Sequence, residues 1–431
     1  MKRYKHIISM SFMFLLTSTF LYGCGEEETV GREQIEIVSF STNQQLSDYI
    51  YEFNIQQTKY EVVLTPLELT EETHTKLMID IVGGNGPDIV NWGTSYNKIL
   101  TAGDAFLDMS EYVNTHLSEE MYAINILNAF SVGEELKVLV ANYNVSTMAL
   151  LSENLMEIED FNVDTLVEYY NAREDDMVLF MGETKMQVLA YLLNTSLDTF
   201  IDWESQSTTF DSETFQKILM FCNEFPNQLE FDDSISIREQ YLEGHILMYP
   251  LTLTSVCGIT TTKEIFGEQA ISFIGYPTAD GSEMICEPVE NAFSVNSQCE
   301  NLEGVYLFLD GIMGYEYQST ISYGYPVLNS VLEEQIEAAK EIEIDFEGNQ
   351  VAKEQVRFVG EEAEDIYQIT NEDADELRSI LRGVSNSSFY DFELMQIVYE
   401  ESEAFFQGEK TVEDVVKTIQ NRSSLYIREQ F

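Results

Sequence analysis

The chain runs to 431 residues, with 76 Asp or Glu against 22 Lys or Arg and a formal net charge of −54. A surface so acidic repels polyanions, which excludes phosphate-backbone recognition and docking on anionic lipid through a basic patch. With 44% apolar and 12% aromatic residues the chain is too hydrophobic to stay disordered, and its length suits two domain-sized cores of about 150–200 residues each.

Lys2, Arg3 and Lys5 precede an apolar run from Ile7 to Leu21, which ends in Leu21-Tyr22-Gly23-Cys24 with Glu26, Glu27 and Glu28 just beyond. A basic start, an apolar stretch of about 15 residues and a small residue before the cut make a secretory leader, since a membrane span needs about 20. The Leu-x-Gly-Cys ending resembles the bacterial lipobox. That resemblance implies that residues 1–23 are removed and that Cys24 is lipidated as the mature N-terminus. Residues 24–34 are short and polar and suit a tether.

Ile35 to Phe40 reads as a mostly apolar strand, and Leu46, Tyr49, Ile50 and Phe53 then recur at helical spacing behind the capping residues Ser41, Thr42 and Asn43. Tyr60–Leu64 is a second strand and Thr70–Val82 a second helix, stopped by Gly83-Gly84-Asn85-Gly86-Pro87. Ile89–Trp92 is a third strand. This βαβαβ order predicts an open, largely parallel α/β sheet. Leu136–Ala141, Ile246–Tyr249 and Ile271–Tyr276 carry β character. Helical patterns lie at Val163–Ala172, Met186–Leu193, Phe215–Phe221, Leu302–Met313, Asp375–Leu381, Asp391–Phe406 and Val412–Tyr426. Residues 331–376 hold 16 acids and three bases and read as a solvated face. Strands that return near residue 271 suit two lobes of interleaved segments.

The order of several short motifs carries a resemblance. Thr75-Lys76-Leu77, Ile79-Asp80-Ile81 and Gly86-Pro87-Asp88-Ile89, then Phe106-Leu107-Asp108-Met109, resemble extracellular solute-binding proteins of the maltose-binding class (family 1). Ile201-Asp202-Trp203 with Phe210-Asp211, Gly275-Tyr276-Pro277-Thr278, Phe405-Phe406-Gln407-Gly408 and Ile419-Gln420-Asn421-Arg422 with Tyr426 are similar to its Gram-positive lipoprotein members. The resemblance implies a two-lobed, periplasmic-binding-protein-like α/β fold, with open sheets, helices on both faces and a ligand cleft between the lobes. Lobe one would be residues 35–141 and 276–314, and lobe two residues 142–275 and 315–431. It also implies a receptor that works beside the permease subunits of an ABC importer, as a monomer held at the membrane by its lipid.

The expected ligand-binding residues follow from that frame. In the resembling maltose binder a Trp at the place of Trp92 stacks on sugar; the plainer reading is a core residue closing the strand. Ser95 and Tyr96 stand where that protein carries an acid and a base, which argues against a malto-oligosaccharide and leaves another glycan open. Ser41, Asn43, Asn91 and Tyr96 are the expected polar partners in the first lobe, although Ser and Asn there also suit helix caps. Tyr249, at the end of a strand, and Tyr323, in Tyr323-Gly324-Tyr325-Pro326, are the expected partners in the second, with packing and turn chemistry as alternatives. An acidic solute would meet a field of its own sign, so the expected ligand is a neutral oligosaccharide.

Catalysis finds no support in the sequence. Among 76 carboxylates some pair falls at any spacing, and no G-x-S-x-G elbow, H-E-x-x-H helix or P-loop occurs. Metal and cofactor sites are not expected either: His6, His74, His116 and His245 are scattered, and no Cys-x-x-Cys occurs. Cys222, Cys257, Cys286 and Cys299 read as four separate thiols, with a Cys286–Cys299 disulfide as the alternative. The second functional reading is a lipid-anchored sensor or peptide receptor on the same fold.

Overall fold

The computed structural model describes residues 31–41, 43–101, 103–155, 161–173, 177–203, 205–228, 236–267, 269–279, 281–357, 362–388 and 391–430. The expected leader, Cys24 and most of the tether lie outside the described residues.

Strand β1 (Glu33–Ser39) turns Ile35 and Ile37 into the core. Helix α1 (Gln44–Gln56) starts where the Asn43 side chain accepts the Leu46 N–H at 2.6 Å, and it buries Leu46, Ile50 and Phe53. Strand β2 (Tyr60–Pro66) runs parallel to β1. Helix α2 (Glu71–Val82) is capped by Thr70, whose hydroxyl accepts the Thr73 N–H at 3.1 Å, and it ends at Gly83-Gly84, where Gly84 takes φ +75. Strand β3 (Ile89–Asn91) returns parallel to the other side of β1. Right-handed crossovers in opposite directions put α1 and α2 on opposite faces of the sheet.

Two further strands complete this sheet in the order β2-β1-β3, then Ala292–Val295, then β4 (Leu139–Val140). Residues Ala292–Val295 therefore sit antiparallel between β3 and β4, although they come much later in the chain. Only Ala141 separates β4 from β5 (Asn142–Leu151), the central strand of a second sheet. Four segments pair antiparallel with β5: Ile246–Leu253, Ile271–Phe273, Ile285–Pro288 and Tyr325–Pro326. Val178–Phe180 and Asn386–Ser387 extend the sheet in parallel register.

The chain thus passes between the sheets three times, outward at Ala141, back between Pro288 and Ala292, and outward again between Val295 and Tyr325, and the first two crossings lie together. Those two are bonded side by side, Ala141 N–H to Asn291 C=O at 3.0 Å and Val289 N–H to Asn142 C=O at 3.3 Å. One buried cluster takes in the first sheet and, through Tyr143, Val145, Leu253 and Cys286, part of the second, along with Phe308, Val331, Ile336, Leu377 and Leu381. A second gathers Leu166, Leu189, Phe215, Val398 and Ile419, and a third, smaller one Ala149, Tyr241, Ile246 and Phe266.

The early βαβαβ order and most expected helices match the structure in type and place. Helix Asn329–Ala339 is a difference. It buries Val331, Leu332, Ile336 and Ala339 beneath the acids of the segment read as mostly a solvated face. The hairpins Glu343–Ile344/Gln350–Val351 and Glu354–Val356/Glu364–Ile366 follow. Among the described carboxylates, Glu183, Asp373 and Asp391 are buried, and each has partners. Asp373 meets Lys263 at 2.7 Å, and Glu183 accepts the Leu179 N–H at 2.7 Å. The remaining described acids keep their hydration, as the cost of burying an unpaired charge demands. Cys222, Cys257, Cys286 and Cys299 are free thiols.

Candidate functional site

Where β1 and β3 end beside the return crossing, polar side chains form a nest. Asn91, fully buried, donates from Nδ2 to Ser39 Oγ at 3.1 Å, to the Glu290 carbonyl at 3.3 Å and to Asn291 Oδ1 at 3.4 Å. Its Oδ1 accepts the N–H groups of Ala292 at 2.9 Å and Gly93 at 3.3 Å. Asn43 Nδ2 reaches Asn291 Oδ1 at 3.4 Å, Asn291 Nδ2 donates to the Tyr317 hydroxyl at 2.9 Å, and Ser39 Oγ donates to the Ser41 carbonyl. Gly93 has φ +55, and a Cβ there would lie 2.4 Å from Ser41 Cβ, so this turn takes glycine. The structure therefore brings together Ser41, Asn43 and Asn91. Asn291 and Tyr317 also belong to the nest and gave no sequence signal, because the return crossing carries Asn291 there and the later helix Tyr315–Gln318 carries Tyr317.

Trp92 departs from the expected ligand platform. It is 1% exposed, stacked on Phe40 at 5.7 Å and edge-on to Phe106 at 5.7 Å, and its indole N–H donates to Ser294 Oγ at 2.9 Å. With its surface covered by protein, it supports the nest as a core residue. Tyr96 lies edge-on to Phe130 at 5.9 Å, and its hydroxyl, held by Thr101 and the Phe130 carbonyl at 3.4 Å, is pushed up in pKa by burial. Tyr249 is not brought to the nest. It sits opposite Ala149 on the second sheet and packs edge-on to Tyr241 at 5.2 Å and Phe266 at 6.1 Å. Tyr323 is 55% exposed, and its carbonyl accepts from Asn142 Nδ2 at 3.1 Å, which sets it beside the outward crossing.

A second polar group lies on β5, where Asn142, Asn144 and Ser146 share one face and Tyr143 and Val145 the other. Ser146 Oγ donates to Glu287 Oε1 at 2.9 Å and shares a hydrogen bond with Thr252 Oγ1 at 2.8 Å. Glu287 lies directly opposite Asn144 in the ladder. Gly324, at φ +75, packs close enough that a Cβ would stand 3.0 Å from Asn144 Oδ1. Sequence reasoning missed this strand; the alternation Asn-x-Asn-x-Ser was the available signal.

The segment after β3 reaches into the second core. Lys98, 2% exposed along its side chain, pairs with Asp198 at 2.6 Å, and Ile99 joins the second cluster. Asn97 donates to Asp391 at 2.7 Å; Asp391 also accepts from the Tyr426 hydroxyl at 3.0 Å and from the Leu394 N–H at 2.8 Å.

Volume alone points elsewhere. A cavity of about 500 Å³ is lined by Tyr122, Asn125, Asn128, Asn329, Arg378 and Arg382, among others. Its Arg378 is already engaged by Glu333 at 2.7 Å and Asp375 at 2.9 Å. The double crossing is the stronger candidate, because polar groups from both sheets converge there. Amides, hydroxyls and a carboxylate in this arrangement are suited to hydrogen-bonding a polar solute. Among the described residues no group of three or more His, Cys, Asp or Glu could hold a metal ion, and no helix is long and apolar enough to cross a membrane.

Solved structures of extracellular and periplasmic solute-binding proteins are similar to this chain in fold. A periplasmic oligogalacturonide binding protein from Yersinia enterocolitica matches with a TM-score of 0.59 at 12% identity, over 92% of this chain and 99% of its own. The sugar-binding protein MalE from Xanthomonas citri gives 0.54 at 12% identity, over 92% and 98%. A family 1 extracellular solute-binding protein from Alicyclobacillus acidocaldarius gives 0.53 at 11% identity, over 92% and 99%. Two de novo designed esterases also match in fold, each at 12% identity. No family model and no curated protein matches the sequence.

Proposed function

We propose that the protein is a lipid-anchored extracytoplasmic solute-binding protein that captures a neutral oligosaccharide and delivers it to an ABC importer. The observation that carries this reading is the double crossing, where the Asn91–Asn291 nest of the first sheet and the β5 polar row of the second flank one segment, Glu287–Asn291. The sugar- and oligogalacturonide-binding descriptions of similar folds support a carbohydrate. The charge of −54 argues against an acidic one. The protein binds and releases its solute without chemistry, as a monomer.

Lobes joined by a few crossing segments close by hinge motion around a ligand. The proposed lobes are residues 35–141 with 276–314, and 142–275 with 315–431. The proposed contacts are Ser41, Asn43, Tyr96 and Tyr323, with the buried Asn91 holding the nest in place behind them.

Calorimetry against a panel of neutral oligosaccharides tests the reading, with Asn291→Ala alongside. Saturable heat that the variant loses is the expected result. Silence across the panel, with heat from a peptide pool, would overturn it in favour of the peptide receptor. The anchor has its own test: Cys24→Ser should release the protein into the medium, and retention in the membrane fraction would refute lipidation.

A further inference from the structure

Two buried acceptors at the crossing have no donor. The side chains of Asn142 and Asn144 are 1% and 8% exposed, yet the Oδ1 atom of each lacks a hydrogen-bond partner among the described residues. A buried carbonyl acceptor left unpaired is destabilising, so two in adjacent positions on one strand face call for an explanation. Asn142 spends its Nδ2 on the Tyr323 carbonyl. Across from Asn144 stands Glu287, half-buried, with one carboxylate oxygen engaged by Ser146. The row reaches solvent at Thr252 and Tyr323, both exposed. It therefore offers acceptors: two amide carbonyls and a carboxylate. Its charged member is negative.

From this we infer that Asn142, Asn144 and Glu287 form the part of the solute site that reads hydroxyl donors, and that Glu287 sets the preference for neutral sugars over uronic acids. The inference rests on the proposed solute-binding function and adds residues and a rule of selectivity to it. Neither oxygen is open to solvent as the sheets stand, so the crossing must open for sugar hydroxyls to donate to Asn142 Oδ1 and Asn144 Oδ1 and satisfy both. A uronate carboxylate brings only further acceptors and a negative charge against Glu287, which the site cannot pair.

Asn144→Leu is the decisive variant, because leucine keeps the number and branching of asparagine's side-chain heavy atoms and removes both polar ends. The free protein should gain stability, seen as a higher urea midpoint, while affinity for the sugar found in the neutral panel falls at least fivefold. Glu287→Gln keeps the acceptor that Ser146 uses and should narrow the discrimination between that sugar and its matched uronate from tenfold or more to under threefold. A raised midpoint with unchanged affinity would overturn the inference, since the acceptors would then serve water alone; a lowered midpoint would overturn the orphan-acceptor argument itself. If the wild type binds neutral sugars but Glu287→Gln leaves the uronate ratio unmoved, the selectivity rule fails and the solute-binding function stands. If no sugar binds the wild type, the carbohydrate reading fails, whatever the midpoints show.

Discussion

Replacing Trp92 by alanine separates a core role from a ligand platform. Truncating a buried Phe or Trp to Ala costs about 3–5 kcal/mol. Here the indole is 1% exposed and wedged between Phe40 and Phe106, so little room exists for collapse. The change also leaves the fully buried Ser294 hydroxyl without its indole donor, an orphan worth about 1 kcal/mol or more. The structure thus places Trp92→Ala at the upper end, near 5 kcal/mol. Trp92→Phe keeps a ring against Phe40 and loses only the N–H and some volume, and should cost about 1–2 kcal/mol. Urea unfolding followed by far-UV circular dichroism measures both. With a urea slope of about 2–3 kcal/mol/M, the alanine variant should lose about 2 M of midpoint. A midpoint unchanged within error, together with lost sugar binding, would refute the reasoning and return Trp92 to the cleft as a stacking surface.

Three more expectations follow from the same geometry. His74 is half-buried beside Trp92 and Phe40, and burial lowers its pKa, so the unfolded chain takes up a proton near pH 6.5 that the folded chain resists. Its contribution to stability is full above that pH and shrinks as pH falls, so unfolding midpoints at pH 7.5 and 5.5 should differ less in His74→Leu than in the wild type; an equal difference contradicts this. Gly93→Ala, at φ +55 against Ser41, should cost about 1–3 kcal/mol in thermal unfolding, and a neutral result would mean that the turn relaxes freely. Lys98→Met leaves Asp198 without its cation and should cost about 3 kcal/mol, while adding Asp198→Leu should restore most of the loss; no recovery would mean that the pair matters only for packing.

The β1–α1–β2–α2–β3 unit was legible because its signals are local. Asn43 and Thr70 cap, Gly83-Gly84 stops, and the apolar spacing sets each buried face. The fate of Trp92 was not, since the strand that covers it, Ala292–Val295, comes some 200 residues later and leaves no local trace. Strand β5 was missed because its fully buried residues include Asn142, Asn144, Ser146 and Thr147, polar types that read as loop until the second sheet supplies partners on both edges. Ser41, Asn43 and Asn91 were found as short polar groups at strand ends, whereas Asn291 owes its place to the return crossing and Tyr317 to the helix Tyr315–Gln318 beyond it. Tyr249 looked equivalent to Tyr323 in sequence; the pleat turned it toward Tyr241 instead.

The late insertion of Ala292–Val295 between β3 and β4 governs how such a chain comes into being. Emerging from the N-terminus, it has β3 and β4 in hand long before the strand that joins them. Closing that gap of roughly 150 residues is a non-local step whose entropy must be met before any ladder bond rewards it. Until then β3 presents an unpaired edge, ready to pair with the wrong chain. The first sheet is therefore finished only after most of the second has appeared. Truncation anywhere before residue 292 should leave no independently folded half, so the protein is assembled as one piece or not at all.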